Sequence, residues 1–409
     1  MDQDPPGWAA RLTGERERRG WSKHEMARQL HTAIGEEYPP VESLVRQVRR
    51  WERGEHLPDE LRQGAYATAF GLSVEELFPV ERAGVVRAAD FTEQVRHDLI
   101  DALTVGALSN DVLDDWERIV LRHGQATRER PAVLLLADLT GDLAELQRVL
   151  VRSGSASTLR RLARVVAQMA GLVCLTLIKL DNRQAFRGWA RTARTAAREA
   201  GDPLTCAWVL AQEAYGHFYA EDMTEAVTVA RQAQAATQTP CVGAVLAAAL
   251  EARAHAVRHD APAARAALDR AESGLGRLDS SCTIPSAFGY DEAQLRFHEG
   301  NALTRLGHTA AARTAQDRAL ALYPVSDFMD RALTRLDRAS CIAQDGDPAS
   351  AVAYAIDVLS GLSDQRRAGI ITTRGHEIMD ALPRTQRALP ATRELQDLLM
   401  LTADDRTAR

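Results

Sequence analysis

The stretch that decides the fold is VESLVRQVRRWERGEHLP, residues 41–58. On a helix, four arginines share one face because they follow the spacing i, i+3, i+4 and i+7; they are Arg46, Arg49, Arg50 and Arg53. An apolar row at helical spacing lies behind them: Leu44, Val48 and Trp51. Gly54 and Pro58 predict the end of the helix. Such a helix fits the DNA major groove, although a basic stripe by itself more often faces solvent.

The segments on either side predict four more short helices. Two precede the arginine-bearing helix, at residues 8–20 and 21–30, and two follow it, at residues 61–70 and 73–78. Ser22 with Glu25, and Ser73 with Glu76, have the spacing of a capping box, in which the two side chains bond the first free amides of a helix. Residues 31–40 (HTAIGEEYPP) predict a solvent-facing loop because they contain a glycine, an acidic pair and two prolines.

Five short helices with arginines on the third resemble the helix-turn-helix domain of the Cro-type (XRE) repressors. The matching residues are Trp51-Glu52-x-Gly54 and Pro58, then Phe70-Gly71-Leu72-Ser73 before Glu76-Leu77-Phe78. The resemblance implies that residues 1–80 bind double-stranded DNA. Two features depart from the family, namely the loop at residues 31–40 and the charge of residues 1–80, which hold 11 Lys+Arg against 14 Asp+Glu.

The same resemblance assigns roles to individual side chains. The candidate DNA-binding residues are Lys23, Ser43, Arg46, Gln47, Arg49, Arg50 and Arg53. Lys23 corresponds to a phosphate contact, and Arg46 and Gln47, with Arg50 one turn on, correspond to side chains that read bases. The two other arginines then contact the flanking backbone. Arginine suits base reading because its planar fork donates two parallel hydrogen bonds to guanine. Such proteins usually bind two half-sites, which implies a homodimer.

The composition limits the remaining possibilities. At 409 residues, with 45% apolar and only 5% aromatic residues, the chain has room for two or three domains and favours an all-α fold packed through small side chains. A net charge of −6 does not indicate a membrane-surface protein. The five cysteines form no CxxC pair, the N-terminus has no signal-peptide pattern, and the longest apolar run, residues 171–178, is too short to span a bilayer. We therefore expect a cytoplasmic protein with no membrane partner.

From about residue 157 the chain repeats small residues in three columns. The first column is Ala185, Ala226, Ala264, Ala312 and Ala351, at intervals of 41, 38, 48 and 39 residues. Twelve positions earlier are Val173, Ala214, Ala252, Gly300 and Ala339, and seven positions later are Thr192, Ala233, Ala271, Ala319 and Val358. Paired helices approach closely only where side chains are small. The columns resemble tetratricopeptide (TPR) repeats and predict a TPR-like α-solenoid; an irregular helical bundle is the alternative.

These observations divide the chain into three predicted segments. They are a helix-turn-helix domain at 1–80, a helical connector and possible dimerisation surface at 81–156, and a TPR-like sensor at 157–409. Proteins with this pairing often resemble peptide-sensing regulators, which implies a concave groove for a peptide, a small molecule or a protein. The candidate groove residues are His217, Arg253, Arg296, Phe297 and Asn301, in which arginines suit a carboxylate and aromatic rings suit an apolar group.

Catalytic patterns are missing from the sequence. Neither lysine follows a glycine, so a Walker A loop is excluded, and Gly-x-Ser-x-Gly does not occur. His255 and His259 are four residues apart but lack the zincin glutamate, and we interpret them as polar surface residues. The prediction is a non-enzymatic transcriptional regulator without cofactors. The alternative is an interaction scaffold with a vestigial helix-turn-helix.

Overall fold

The structure is a computed structural model, and it describes residues 7–34, 41–54, 58–78, 110–152, 155–363, 366–367, 369–383, 387 and 390–400. Within these ranges every regular element is helical, which confirms the predicted all-α class for them. The chain divides into two compact units, Met1–Leu103 and Thr104–Arg409. The first part of the predicted connector, residues 81–109, lies outside the described residues.

Unit 1 contains five short helices. They are α1 (Gly7–Arg18), α2 (Lys23–Ile34), α3 (Val41–Glu52), α4 (Glu60–Phe70) and α5 (Val74–Leu77). The predicted cap at Ser22 is present, since its hydroxyl accepts a hydrogen bond from the Glu25 amide, and Ser73 forms the full capping box with Glu76. The predicted loop at residues 31–40 is partly wrong, because α2 continues to Ile34. The first helix breaker in that segment is Gly35.

The core of unit 1 is aromatic. Tyr66 on α4 lies at its centre, with ring centroids 5.9 Å from Trp51, 5.7 Å from Phe70 and 6.0 Å from Phe78. Because Trp51 is 2% exposed and packs edge-on against this tyrosine, it is a core residue, as the apolar row predicted. Large rings bury much apolar area per residue, which a domain of this size needs.

Unit 2 contains a long series of helices. They are α6 (Asn110–Ala126), α7 (Ala132–Arg152), α8 (Ala156–Lys179), α9 (Arg183–Ala200), α10 (Pro203–Tyr219), α11 (Met223–Ala235), α12 (Val242–Val257), α13 (Ala261–Leu275), α14 (Glu292–Arg305), α15 (Thr309–Leu322), α16 (Phe328–Gln344), α17 (Pro348–Ser360), α18 (Ile370–Ala381) and α19 (Pro390–Met400). A 3-10 turn at Ser280–Cys282 interrupts the long segment between α13 and α14.

Successive helices of unit 2 form pairs that stack. Five pairs pack within themselves: α8 with α9, α10 with α11, α12 with α13, α14 with α15, and α16 with α17. The first helix of each pair also packs on the first helix of the next, from α8 to α18. At one end α6 and α7 pack on α8, and at the other α19 packs on α17 and α18. The first helices therefore form a continuous inner row.

The same turn joins the two helices of each pair. A residue with positive φ occurs in all five turns: Asp181, Glu221, His259, Gly307 and Gly346. The next residue caps the following helix, and in four turns its side chain accepts a hydrogen bond from an amide three residues on: Asn182, Asp222, Asp260 and Asp347. One local solution thus recurs along the chain, as expected for stacked repeats.

The small-residue columns are buried, with one correction. In the first pair, Ala185 is half-buried and Thr192 is exposed, whereas Phe186 and Ala193 face the core. The register of this pair was therefore predicted one residue too early. The reason is that a large side chain, Phe186, packs against a glycine, Gly216. A Cβ atom on Gly216 would lie 1.9 Å from the Phe186 ring. The large side chain fills the space that the glycine leaves.

Helix α8 is the apolar centre of unit 2. Its length and composition are those of a membrane-crossing helix, but most of its apolar length is buried inside the structure. Its neighbours α7, α9 and α10 cover it. All five cysteines are free thiols, and Cys174 on α8 is among the three that are buried.

Candidate nucleic-acid interface and ligand groove

The arginine-bearing helix α3 is fixed to unit 1 by its apolar row and by a buried ion pair. Leu44 and Val48 are fully buried beside Trp51. Glu52 at the end of α3 accepts hydrogen bonds from Arg16 on α1, at 2.6 Å between Nε and Oε1 and 3.1 Å between Nη2 and Oε2. The side chains of Arg16 and Glu52 are 9% and 3% exposed. The hydrogen bond that Arg16 donates to Glu52 raises the pKa of Arg16, in opposition to its burial.

The opposite side of α3 carries the four arginines. Arg46, Arg49, Arg50 and Arg53 are all exposed. Ser43 and Gln47 are half-buried at the edge of this face. The structure therefore brings six of the seven candidate DNA-binding residues together. Five lie on α3, and Arg53 directly follows it. Because Glu42 is also exposed near the start of α3, the positive charge is concentrated toward the C-terminal half.

Lys23, the seventh candidate, lies at the start of α2. Its Nζ atom is 3.5 Å from Glu52 Oε2, and its side chain is 41% exposed. Glu52 therefore contacts both Arg16 and Lys23, and links α1, α2 and α3. Sequence reasoning used Glu52 only as part of a family motif. The pairing with Arg16 connects residues 36 positions apart, which helical spacing alone does not reveal.

Three of the five candidate groove residues converge in unit 2. Arg253 is fully buried and donates from Nε to Asn301 Oδ1 at 2.8 Å, while its guanidinium lies 5.4 Å from the centre of the Phe297 ring. Asn301 donates in turn to Asp337 Oδ2 at 2.8 Å. Asp337 forms a buried ion pair with Arg374, at 2.5 Å between Oδ1 and Nη1. These groups form a continuous polar network between α12, α14, α16 and α18.

The two guanidinium groups of this network, those of Arg374 and Arg253, are stabilised in different ways. Burial opposes the charged form of Arg374, but Asp337 and Glu377 outweigh it and hold the pKa of this guanidinium above its ordinary value. Arg253 is flanked by aromatic rings, the nearest being Phe218 with its centroid 4.2 Å from the guanidinium carbon. Ring faces stabilise a cation in such a desolvated position. The hydrogen-bonding groups of Arg253 are thus directed to protein partners.

The other two candidate groove residues lie apart from this network. Arg296 is half-exposed and forms ion pairs with Glu272 and Glu299, both at 2.7 Å. His217 packs edge-on against the Phe186 ring, 6.1 Å between centroids, and lies 3.8 Å from Glu213. The five residues therefore do not line one surface.

One histidine was interpreted wrongly from the sequence. His255 is 6% exposed rather than on the surface, and its Nε2 atom lies 3.5 Å from Glu251 Oε1. Glu251 is itself buried and accepts hydrogen bonds from Arg231 and Arg270. Burial raises the pKa of Glu251, but these partners and Gln234 hold it below its ordinary value. His259, by contrast, is exposed as expected.

The inner row of helices encloses a cavity of about 70 Å³. All six first helices contribute to it, together with the turn after α6 and the loop before α14. Its polar lining includes Arg128, Lys179, Gln212, Asp330 and His298, and its apolar lining includes Leu175, Leu246, Phe297, Met329 and Ile370. Sequence reasoning missed most of these residues, because each is a single side chain from a different helix.

Two ionisable groups beside the cavity respond to their burial. Arg128 donates from Nη1 to Asp327 Oδ2 at 2.9 Å. Burial and the nearby Asp330 raise the pKa of Asp327 to about 7, although Arg128 opposes the shift. Burial also lowers the pKa of Lys179, against the attraction of the same two carboxylates. Within the described ranges, no three His, Cys, Asp or Glu side chains are grouped as a metal site would require.

The contact between Glu52 and Arg16 predicts a loss of stability on substitution. Glu52→Gln removes the buried counter-charge of Arg16 and leaves only the exposed Glu17 beside it, so we expect unit 1 to lose up to about 3–5 kcal/mol of unfolding free energy. Hydrogen exchange of the α1–α5 amides in the full chain measures this loss of unfolding free energy. Glu25→Gln is the control, since Glu25 belongs to a solvent-exposed pair with Arg28 and should cost under about 1 kcal/mol. Equal losses in the two variants would contradict this assignment.

His298 predicts a pH dependence of unit 2. Burial, and next the nearby Arg253, lower the pKa of His298 well below its ordinary value, with Tyr215 and Tyr290 as its ring neighbours. The unfolded chain therefore takes up a proton below about pH 6.5 that the folded chain does not, and stability falls as the pH drops.

Between pH 7.5 and 5.5 we expect His298 to account for a loss of about 1.4 kcal/mol. Urea unfolding at both pH values should show a smaller pH dependence for His298→Gln than for the parent chain. His308→Gln serves as the control, because His308 is exposed. A pH dependence that His298→Gln leaves unchanged would refute the prediction.

Comparison with known proteins gives no relatives: no family model, no curated protein and no solved structure matches this chain.

Proposed function

We propose that this chain is a sequence-specific, double-stranded DNA-binding transcriptional regulator of the XRE helix-turn-helix type, acting in the cytoplasm. The observation that carries the proposal is helix α3, with four exposed arginines on one side and Leu44, Val48 and Trp51 buried on the other. Its attachment through Glu52 and Arg16 gives it a fixed orientation in unit 1. A rigid helix that presents planar donors is what base reading in the major groove requires.

Unit 2 supplies the second half of the proposal. Its paired helices, recurring turns and buried small-residue columns support a TPR-like solenoid. We propose that this region binds a signal and changes the affinity of α3 for DNA. Such a signal acts only if it binds the DNA-competent and the incompetent states with different affinity.

A scaffold with a vestigial helix-turn-helix is the second candidate. The excess of acidic residues in positions 1–80 favours it, as does the proximity of Lys23 to Glu52. Selection of bound sequences from random duplex DNA at stated salt separates the two functions. A regulator enriches a defined site, often with two-fold symmetry, whereas a scaffold enriches none.

The arginines of α3 should contribute in two different ways. Arg46→Ala and Arg50→Ala should each cost about 1–3 kcal/mol of binding to the selected site and relax its sequence preference, because each removes a contact to a base edge. Arg53→Ala should weaken binding to all sequences alike and reduce the salt dependence. Fluorescence anisotropy with the selected duplex and a scrambled duplex measures both effects.

Arg18→Ala is the matched control for these variants. Arg18 is a highly exposed arginine of unit 1 that lies on α1 and pairs with Glu15. Its removal should leave the affinity for the selected duplex nearly unchanged. If the three α3 variants bind that duplex as well as the parent does, α3 is not the recognition helix.

We further propose a homodimer that forms through α7, in the segment predicted as a connector. Val133 and Leu134 at the start of this helix and Val151 at its end are 52%, 50% and 80% exposed, which is unusual for large apolar side chains. A groove of about 670 Å³ lies nearby and is lined by Leu150, Leu159 and Val166 among others. A dimer has two α3 helices, one for each half-site of a two-fold symmetric DNA site.

Light scattering of the parent chain should give the mass of a dimer. Leu134→Asp should give a monomer, because a charge at the centre of an apolar interface is costly to bury. Val325→Asp is the control, since Val325 is 86% exposed on a turn between α15 and α16. A parent chain that stays monomeric with and without DNA would remove the dimer from the proposal.

A further inference from the structure

The cavity inside unit 2 is lined by two charged groups, one of each sign, that form no direct ion pair within the described residues. Lys179 donates to the Thr127 carbonyl oxygen, and within the described residues no ion pair engages its ammonium group. Asp330 lines the same cavity, and in that part of the chain neither a hydrogen bond nor an ion pair engages its carboxylate. Such groups are costly to desolvate unless something pairs with them. The cavity therefore has one cationic and one anionic position to satisfy.

Two further hydrogen-bonding positions, one on Arg128 and one on Gln212, complete the lining. Arg128 uses Nη1 for Asp327, while its Nη2 atom is buried and has no partner. Gln212 is 2% exposed, and its Oε1 atom is likewise buried without a partner. A donor thus accompanies the cation, and an acceptor accompanies the carboxylate. Buried polar atoms are rarely left unpaired, and groups that are unpaired on a cavity wall point to an occupant.

We propose that this cavity binds a small α-amino acid as a zwitterion. Its carboxylate would accept hydrogen bonds from Lys179 and Arg128, and its ammonium group would donate to Asp330 and Gln212. Its side chain would face the apolar wall around Leu246. This deepens, and rests on, the proposed sensing role of unit 2, for which it names the ligand class.

The charge of the cavity selects a zwitterion over a simple ion. Arg128 and Asp327 form an ion pair at 2.9 Å, and Lys179 and Asp330 add one further charge of each sign, which attract each other but form no direct ion pair among the described residues. An anion alone would pair with Lys179 and be repelled by Asp330, and a cation alone would have the reverse problem. Only a molecule with both charges satisfies both side chains.

The size of the cavity limits the molecule. At roughly 10–15 Å³ for each water-sized particle, 70 Å³ has room for about five to seven such particles, so the cavity suits only a small molecule. Glycine, alanine and serine have this size, whereas a peptide does not. The cavity is also well below the size of pockets for drug-sized ligands.

Isothermal titration calorimetry on the full chain, after exhaustive dialysis and without DNA, tests the proposal. The probes are glycine, alanine and serine, with N-acetylglycine and glycinamide as controls that lack one of the two charges. We expect saturable one-to-one binding of at least one amino acid, with both blocked compounds at least tenfold weaker. No binding up to millimolar concentration, or equal binding of the blocked compounds, would overturn the proposal and leave a cavity that holds only water.

Two substitutions test the position of the ligand. Asp330→Asn and Lys179→Met should each weaken the amino acid at least tenfold, whereas Asp317→Asn, at an exposed aspartate on α15, should not. Circular dichroism melting shows which of the two variants fold, and one folded variant is enough for the test. If a folded variant binds as the parent does, the ligand is elsewhere and the assignment fails.

Different experiments test the ligand site and its regulatory role. DNA affinity measured with and without the amino acid reports only on coupling between the two. Binding that leaves DNA affinity unchanged would support the cavity site and contradict the sensing role. Loss of DNA binding in all conditions would contradict the proposed function and leave the calorimetric result intact.

Discussion

Close approach between helix backbones is the constraint on which unit 2 depends. A Cβ atom on Gly243 would lie 2.4 Å from the backbone of Ala207 and Trp208, so α12 can contact α10 only because this position has no side chain. A Cβ atom on Gly171 would lie 2.3 Å from the Trp208 ring, which fixes α8 against α10 in the same way. Since each first helix sits this close to the next, small errors in spacing would accumulate along the row. The alanine columns keep the spacing constant.

Close packing also determines where polar groups can be. Arg253 and Asp337 are fully buried in the inner row, and each finds its partner on another helix, in Asn301 and Arg374. Such pairs add little net stability compared with apolar residues of the same volume, but a wrong partner is severely destabilising. The buried polar pairs therefore determine which helices pack next to each other more than they increase the stability of unit 2. The same principle operates in unit 1, where Glu52 joins three helices.

Local signals made much of the fold predictable. Apolar spacing located α3 and its buried row, and capping residues located the starts of α2 and α5, because these depend on residues within one or two turns. The end of α2 was misjudged since loop-like composition from Gly35 onward was extended back to His31. The repeat register around Phe186 was misjudged because this residue packs against Gly216, which is 30 positions away in the sequence. The candidate groove residues were chosen by helix position, but which of them converge depends on long-range contacts such as that from Arg253 to Asn301. No sequence period carries that information.

The contact between the two ends of the inner row changes how unit 2 must fold. Thr373 on α18 donates to the Asp181 side chain at 3.2 Å, and a Cβ atom on Gly369 would lie 1.7 Å from the Lys179 carbonyl oxygen. An open array of repeats can nucleate anywhere and lose its terminal units one at a time. Here the start of α18 contacts the turn after α8, so loss of the C-terminal helices also removes contacts from that turn. The hydrogen bond joins residues that are 192 positions apart, and loop-closure entropy makes such a distant contact slow to form. Synthesis must nearly complete unit 2 before this contact can exist.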